Sequence, residues 1–220
     1  IMKKLSVLLL TATTISFGAV SQKVLVNLNA GTRLLGNVSE FSTLTPGFHL
    51  DGGVTYMIND FIGIKGDVGY DSYSAYNKVT DVRDRSFMIR GSVQGVLSLS
   101  NLFEFESRDF SLLFHTGFGF ATHYNPSWKQ GRLDDGEVFG DPALKGNDDM
   151  INIIFGLTPQ YRIKDNWYAN FDISGVVLPM ESNFVDRAFD ATVNQGTGFI
   201  LNTSVGVTYV FGKQKSARMR

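Results

Sequence analysis

The residues able to do chemistry in this chain are few and widely spaced. Three histidines occur, His49, His115 and His123, and there is no cysteine. The absence of thiols removes disulfides, thiolate zinc sites and cysteine nucleophiles from consideration. No H-x-H or H-x-x-x-H spacing brings two imidazoles to one metal. His49 and His115 fall on the polar faces of separate alternating segments, as expected of side chains in a hydrogen-bonded network. His123 stands near the end of its segment, and no serine within two residues of it could open a Ser–His–acid triad. Gly117-Phe118-Gly119 lies inside an alternating run, not at a strand-to-helix turn, so it is discounted as a nucleotide loop. The acidic stretch Asp134, Asp135, Glu137, Asp141, Asp148 and Asp149 lacks calcium-loop spacing. It reads as a solvated loop, with divalent cations beside lipopolysaccharide as the alternative. The sequence therefore predicts no catalytic, cofactor-binding or metal-ligating residues and no enzyme activity.

Seven other charged residues need positioning: Arg33, Lys65, Arg90 and Arg162, with Asp51, Asp67 and Asp172. Each sits on the polar side of a run that alternates with period two. Val26, Leu28 and Leu34 oppose Asn27, Asn29 and Arg33, and Leu50, Val54 and Tyr56 oppose Asp51, Gly53 and Thr55. Ile64, Val68 and Tyr70 oppose Lys65, Asp67, Gly69 and Asp71. Successive side chains of a strand point to opposite faces, so each run has one apolar and one polar face. About eight such segments follow one another, each near the 9–11 residues expected of a tilted membrane strand. Short polar connections, Asn59-Asp60 and Lys164-Asp165-Asn166, alternate with long ones, roughly 36–45, 72–85, 125–147 and 176–197. The connection 100–109 is the exception on the short side. Short periplasmic turns alternating with longer outer loops are the outer-membrane pattern.

The alternative is a soluble periplasmic barrel or sandwich, which alternates too. Glycines on the polar face, among them Gly31, Gly53, Gly69, Gly117, Gly119 and Gly206, favour the membrane barrel. They make room in a narrow lumen, whereas glycine only weakens a strand facing solvent. Aromatics such as Phe48, Tyr70, Phe110, Tyr161, Trp167, Tyr209 and Phe211 gather near the strand ends of the apolar face, as interfacial girdles do. No amphipathic helix or second sheet is available to bury that face. The predicted fold is an all-β, eight-stranded antiparallel transmembrane barrel with up-and-down order, polar inside and apolar outside.

The first residues read as an address. Met2-Lys3-Lys4, the apolar run Leu5–Ile15 and the small residues at Ala19-Val20-Ser21 form a signal peptide, residues 1–21, with cleavage leaving Gln22. The apolar run is too short for a spanning anchor. The barrel is expected over 22–212, in the cell outer membrane. The formal net charge of −1 gives no footprint of a nucleic-acid binder.

The closing run Gly206-Val207-Thr208-Tyr209-Val210-Phe211 resembles the strand signal read by outer-membrane assembly machinery, with Tyr209 and Phe211 as its carriers. Together with the signal peptide, the eight strands, Gly156-Leu157-Thr158-Pro159-Gln160-Tyr161 and the ending Tyr209-Val210-Phe211-Gly212-Lys213, it makes residues 22–213 resemble the N-terminal barrel of the OmpA-like family. The resemblance implies a structural protein that tethers the envelope or joins an outer-membrane complex. Its implied partners are outer-membrane lipid, lipopolysaccharide, the assembly machinery and other outer-membrane proteins. Members often continue into a peptidoglycan-binding domain, and the basic segment 213–220 resembles the start of a linker to one. A narrow porin-like channel is the alternative, and a lipid-modifying enzyme a third reading. Within the lumen, Lys65, Asp67, Asp51 and Arg90 are expected to form one central network closing the barrel, with Arg33, Arg162 and Asp172 as further inward charges.

Overall fold

A computed structural model describes residues 23–36, 42–77, 82–104, 109–124, 131–132, 138–139, 147–181 and 196–212. The segment read as a signal peptide, the basic segment and most of the acidic stretch lie outside these residues. Eight long strands form a closed antiparallel barrel: β1 (Lys23–Gly36), β2 (Ser42–Met57), β3 (Ile62–Asn77), β4 (Val82–Ser98), β5 (Phe110–Tyr124), β8 (Asn147–Lys164), β9 (Trp167–Glu181) and β10 (Gly196–Phe211). A two-residue ribbon, β6 (Gly131–Arg132) with β7 (Val138–Phe139), belongs to the connection between β5 and β8. Each barrel strand pairs with its chain neighbour, and β1 closes on β10, so no edge is left unpaired.

The stagger of the pairing fixes the barrel's shape. Opposite residues lead from Val24 through Tyr56, Ile64, Gly95, Thr116, Phe155, Gly175 and Leu201 to Leu34, ten residues along the strand of origin. With ordinary strand spacings, a stagger of ten over eight strands tilts them by about 40°. The strands are longer than the sequence predicts, 14 to 18 residues. At that tilt they rise about 35–45 Å, more than the roughly 25 Å apolar band of such barrels. The ladders therefore continue past the band into segments that the sequence reads as loop, because pairing does not stop where the apolar pattern stops.

Val26, Leu28, Val54, Ile64, Val68, Val93, Ile153, Leu157, Ile173 and Val205 stand exposed on the outer surface. Aromatics flank them. On the short-turn side Trp167 and Tyr209 meet edge to face at 4.9 Å, and Tyr209 and Phe211 at 4.5 Å. Towards the loops Tyr70 stacks with Phe87 at 6.1 Å. Soluble monomers rarely expose contiguous apolar surface of this extent, and it fits lipid.

The short turns are built locally. The side-chain oxygen of Asn59 accepts from the backbone N–H of Phe61 (2.8 Å) and of Ile62 (2.7 Å), closing the β2–β3 turn. The β4–β5 connection contains a one-turn helix, α1 (Leu99–Leu102), absent from the sequence reading. Buried Ser100 holds it by accepting from the Leu112 N–H at 2.5 Å, and the Asn101 amide donates to the Asp60 carbonyl of the neighbouring turn.

Candidate functional site in the barrel lumen

Parity along each strand decides which side chains enter the lumen, and the stagger decides the height at which they meet. The inward residues form layers. Nearest the short turns lies an apolar cluster of Leu25, Met57, Val96, Leu113 and Val210, with Tyr168 against it. Towards the loops lies another, of Met88, Ala121, Met150, Ile154, Val176, Leu178 and Ile200. The expected polar interior holds for most inward residues, and apolar clusters join it near the short turns and, beside polar groups, towards the loops. These apolar residues interrupt the alternation on the polar face, where their short stretches carry no period of their own.

Between the clusters, one network runs across the barrel. Lys65 Nζ lies 3.2 Å from Asp67 Oδ2. Asp67 accepts from Ser92 Oγ at 2.5 Å and from Gln94 Nε2 at 2.6 Å. The same Gln94 amide nitrogen donates to Ser92 Oγ at 2.7 Å, which turns Gln94 Oε1 towards His115 Nδ1, 2.6 Å away. His115 Nε2 lies 3.0 Å from Asp172 Oδ2. Asp172 also accepts from Thr158 Oγ1 at 2.6 Å and from the Ser174 hydroxyl. Residues of β3, β4, β5, β8 and β9 are thus tied through neighbouring polar groups. The His115 ring fits because Gly156 stands beside it; a Cβ there would lie 2.6 Å from Cε1.

A second network occupies the β1–β4 side, shifted towards the loops. Asp51 accepts from Asn29 Nδ2 at 2.9 Å and lies 2.9 Å from His49 Nε2. His49 Nδ1 lies 2.6 Å from Asp71 Oδ1. Arg33 and Arg90 approach Asp71 Oδ2 at 3.7 and 3.5 Å. All of these residues are buried.

The expected single quartet of Lys65, Asp67, Asp51 and Arg90 is therefore divided. Lys65 and Asp67 belong to the first network, and Asp51 and Arg90 to the second. The cause is Gly69, which pairs opposite Arg90 and leaves space over its backbone. A Cβ on Gly69 would lie 2.8 Å from Arg90 Nε. The guanidinium crosses that gap to Asp71 instead of turning back to Asp67. Asp71 shares the polar face of Lys65 and Asp67, and that parity was the signal available for it. Asp172 sits in the first network beside His115. Arg162 is placed differently from the sequence reading. It lies at the short-turn end of β8, about one-third exposed, 3.7 Å from Asp109 and with its guanidinium 5.9 Å from the Tyr168 ring. Two residues before the strand end, it has solvent within reach and takes no part in the central networks. Of the acidic stretch, Asp149 is described: it is exposed and accepts from Thr122 Oγ1 at 2.7 Å.

Among the described residues no group of histidines and carboxylates is arranged to hold a metal ion. A cavity of about 20 Å³ opens among Lys65, Asn27, Asn29, Asn170, His115 and Asp172. That is room on the scale of a single water.

No model of a known protein family matches the chain, and no curated protein matches it in sequence. Solved structures do. A major outer-membrane protein from Thermus thermophilus is similar with a TM-score of 0.54 and 12% identity, over 86% of this chain and 99% of that one. Ail, the attachment invasion locus protein of Yersinia pestis, solved with the heparin analogue sucrose octasulfate, gives 0.52 and 9% identity, over 87% and 99%. The outer-membrane protein OprG of Pseudomonas aeruginosa gives 0.50 and 10% identity, over 88% and 97%. The shared feature is the fold, that of small outer-membrane barrels. With the lipid-facing apolar band, it makes this chain an outer-membrane barrel protein.

Proposed function

We propose that this protein is a closed, structural outer-membrane barrel of the OmpA-like kind, neither a pore nor an enzyme, that anchors the envelope or serves as an accessory subunit of an outer-membrane complex. The observation that carries the reading is the filled lumen: two buried polar networks and two apolar clusters occupy it together. An eight-stranded barrel is narrow enough for side chains to fill it. Apolar constrictions also resist wetting, so ions meet a barrier even beside polar groups. Tyr209 and Phe211 pack together on the outer face at the end of β10, and under this reading they carry the assembly signal.

The test is single-channel recording on the purified barrel in a planar bilayer, paired with gentle detergent extraction and mass spectrometry of what co-purifies. Electrical silence and reproducible recovery of envelope components support the reading. Large steady conductance by the unmodified protein overturns it in favour of a channel.

A further inference from the structure

His49 and His115 share a feature that the closed-barrel reading leaves unused. Each ring stands between two hydrogen-bond acceptors. His49 has Asp71 at 2.6 Å on Nδ1 and Asp51 at 2.9 Å on Nε2. His115 has Gln94 Oε1 at 2.6 Å on Nδ1 and Asp172 at 3.0 Å on Nε2. The orientation of Gln94 follows from its amide nitrogen, which donates to Asp67, a carboxylate that only accepts. A neutral imidazole has one N–H and can donate once; filling two acceptors takes the imidazolium, which has two. From this donor count we propose that both lumen histidines are structural imidazoliums, and that each is a proton-dependent latch holding the closed lumen together.

Charge points the same way. The buried lumen residues include three fixed cations, Arg33, Lys65 and Arg90, against four aspartates, Asp51, Asp67, Asp71 and Asp172. Balance needs at least one further positive charge, and the imidazoles stand directly against the carboxylates. Around His49 the charged groups are Asp51 on its own strand, Asp71 on β3, and Arg33 of β1 and Arg90 of β4 beyond Asp71. Around His115 they are Asp172 on β9, with Asp67 and Lys65 of β3 beyond Gln94. Loss of a proton removes one donor, so one of each ring's two bonds is lost: a carboxylate beside His49, or the Gln94 amide oxygen or Asp172 beside His115, is left short of a partner.

This inference rests on the closed-lumen reading, and its test is independent of conductance. In the His123→Gln variant only these two rings remain. Nitrogen-15 spectra of the histidine-labelled, folded barrel at pH 7.5 are expected to show two protonated nitrogens in both rings. A free imidazole is about nine-tenths neutral at that pH. A bare nitrogen in either ring overturns the proposal. The second measurement is urea unfolding of the wild type in lipid vesicles. Each extra proton held by the folded state lowers the folded-to-unfolded ratio about tenfold per pH unit between the free and folded titrations. The ratio should therefore fall as pH rises from 7 to 8, and fall more steeply in the wild type than in the His49→Gln/His115→Gln double variant, where that variant folds. A wild type without the slope overturns the latch. Steady conductance at pH 7.5 from a barrel with both rings protonated would instead sink the closed-lumen reading, so the two failures are told apart.

Discussion

At the scale of single residues, burial separates two ion pairs that the sequence presents as equals. Asp172 is buried and gathers His115, Thr158 and Ser174. Truncating it strands all three donors inside the lumen. We expect Asp172→Ala to cost about 3–5 kcal/mol, the usual loss when one member of a buried charged set is removed. Arg162 shares its charge with Asp109 at the exposed rim, where solvent screens the pair. Arg162→Ala should change stability by less than about 1 kcal/mol. Urea midpoints of the two variants in lipid vesicles, followed by the heat-modifiable gel shift of a folded barrel, check both. Equal losses would mean that the lumen is wetter than its packing implies.

At the scale of strands, glycine has two distinct uses, and they predict opposite outcomes. Inward Gly156 makes the seat of His115, and an added Cβ would also lie 2.7 Å from the Ile173 carbonyl. Gly156→Ala should therefore destabilise by about 1–3 kcal/mol through overpacking. Outward Gly66 has nothing within 4 Å of its added Cβ. Gly66→Ala should be neutral or stabilising by up to about 1 kcal/mol, since alanine restricts the unfolded chain more. Unfolding of the two variants side by side checks the contrast. The last strand makes a separate prediction. Phe211 packs on Tyr209, which packs on Trp167, all on the outer face. Under the proposed assembly role, Phe211→Ala should reduce the folded barrel recovered from cells severalfold, while purified protein still refolds in micelles. Failure in micelles as well would reduce Phe211 to a packing residue.

At the scale of the whole molecule, closure is shared among layers. Breaking the central network leaves both apolar clusters in place, so Lys65→Ala should remain electrically silent. Leu113→Ser combined with Ile200→Ser opens both apolar clusters to water, and conductance should appear when Lys65→Ala is added to that pair. Bilayer recordings of the single and triple variants distinguish layered closure from closure by charge alone. Conductance from Lys65→Ala by itself would show that the apolar clusters do not seal.

The sequence by itself determined the strand period, the division into apolar outside and largely polar inside, and the alternation of short and long connections. These are properties of a segment and its immediate neighbours, readable from the alternation around Asp51, Lys65, Asp67 and Asp172. The tertiary structure alone decided which inward residues meet. A lumen partner depends on strand parity and on height, and height depends on the ten-residue stagger accumulated around the closed sheet, which no single segment encodes. Arg90 therefore reaches Asp71 over Gly69, and His115 joins Gln94 to Asp172 from separate strands. Met88, Leu113, Ile154 and Ile200 likewise interrupt the polar face when read along their strands, and become clusters only when the barrel closes.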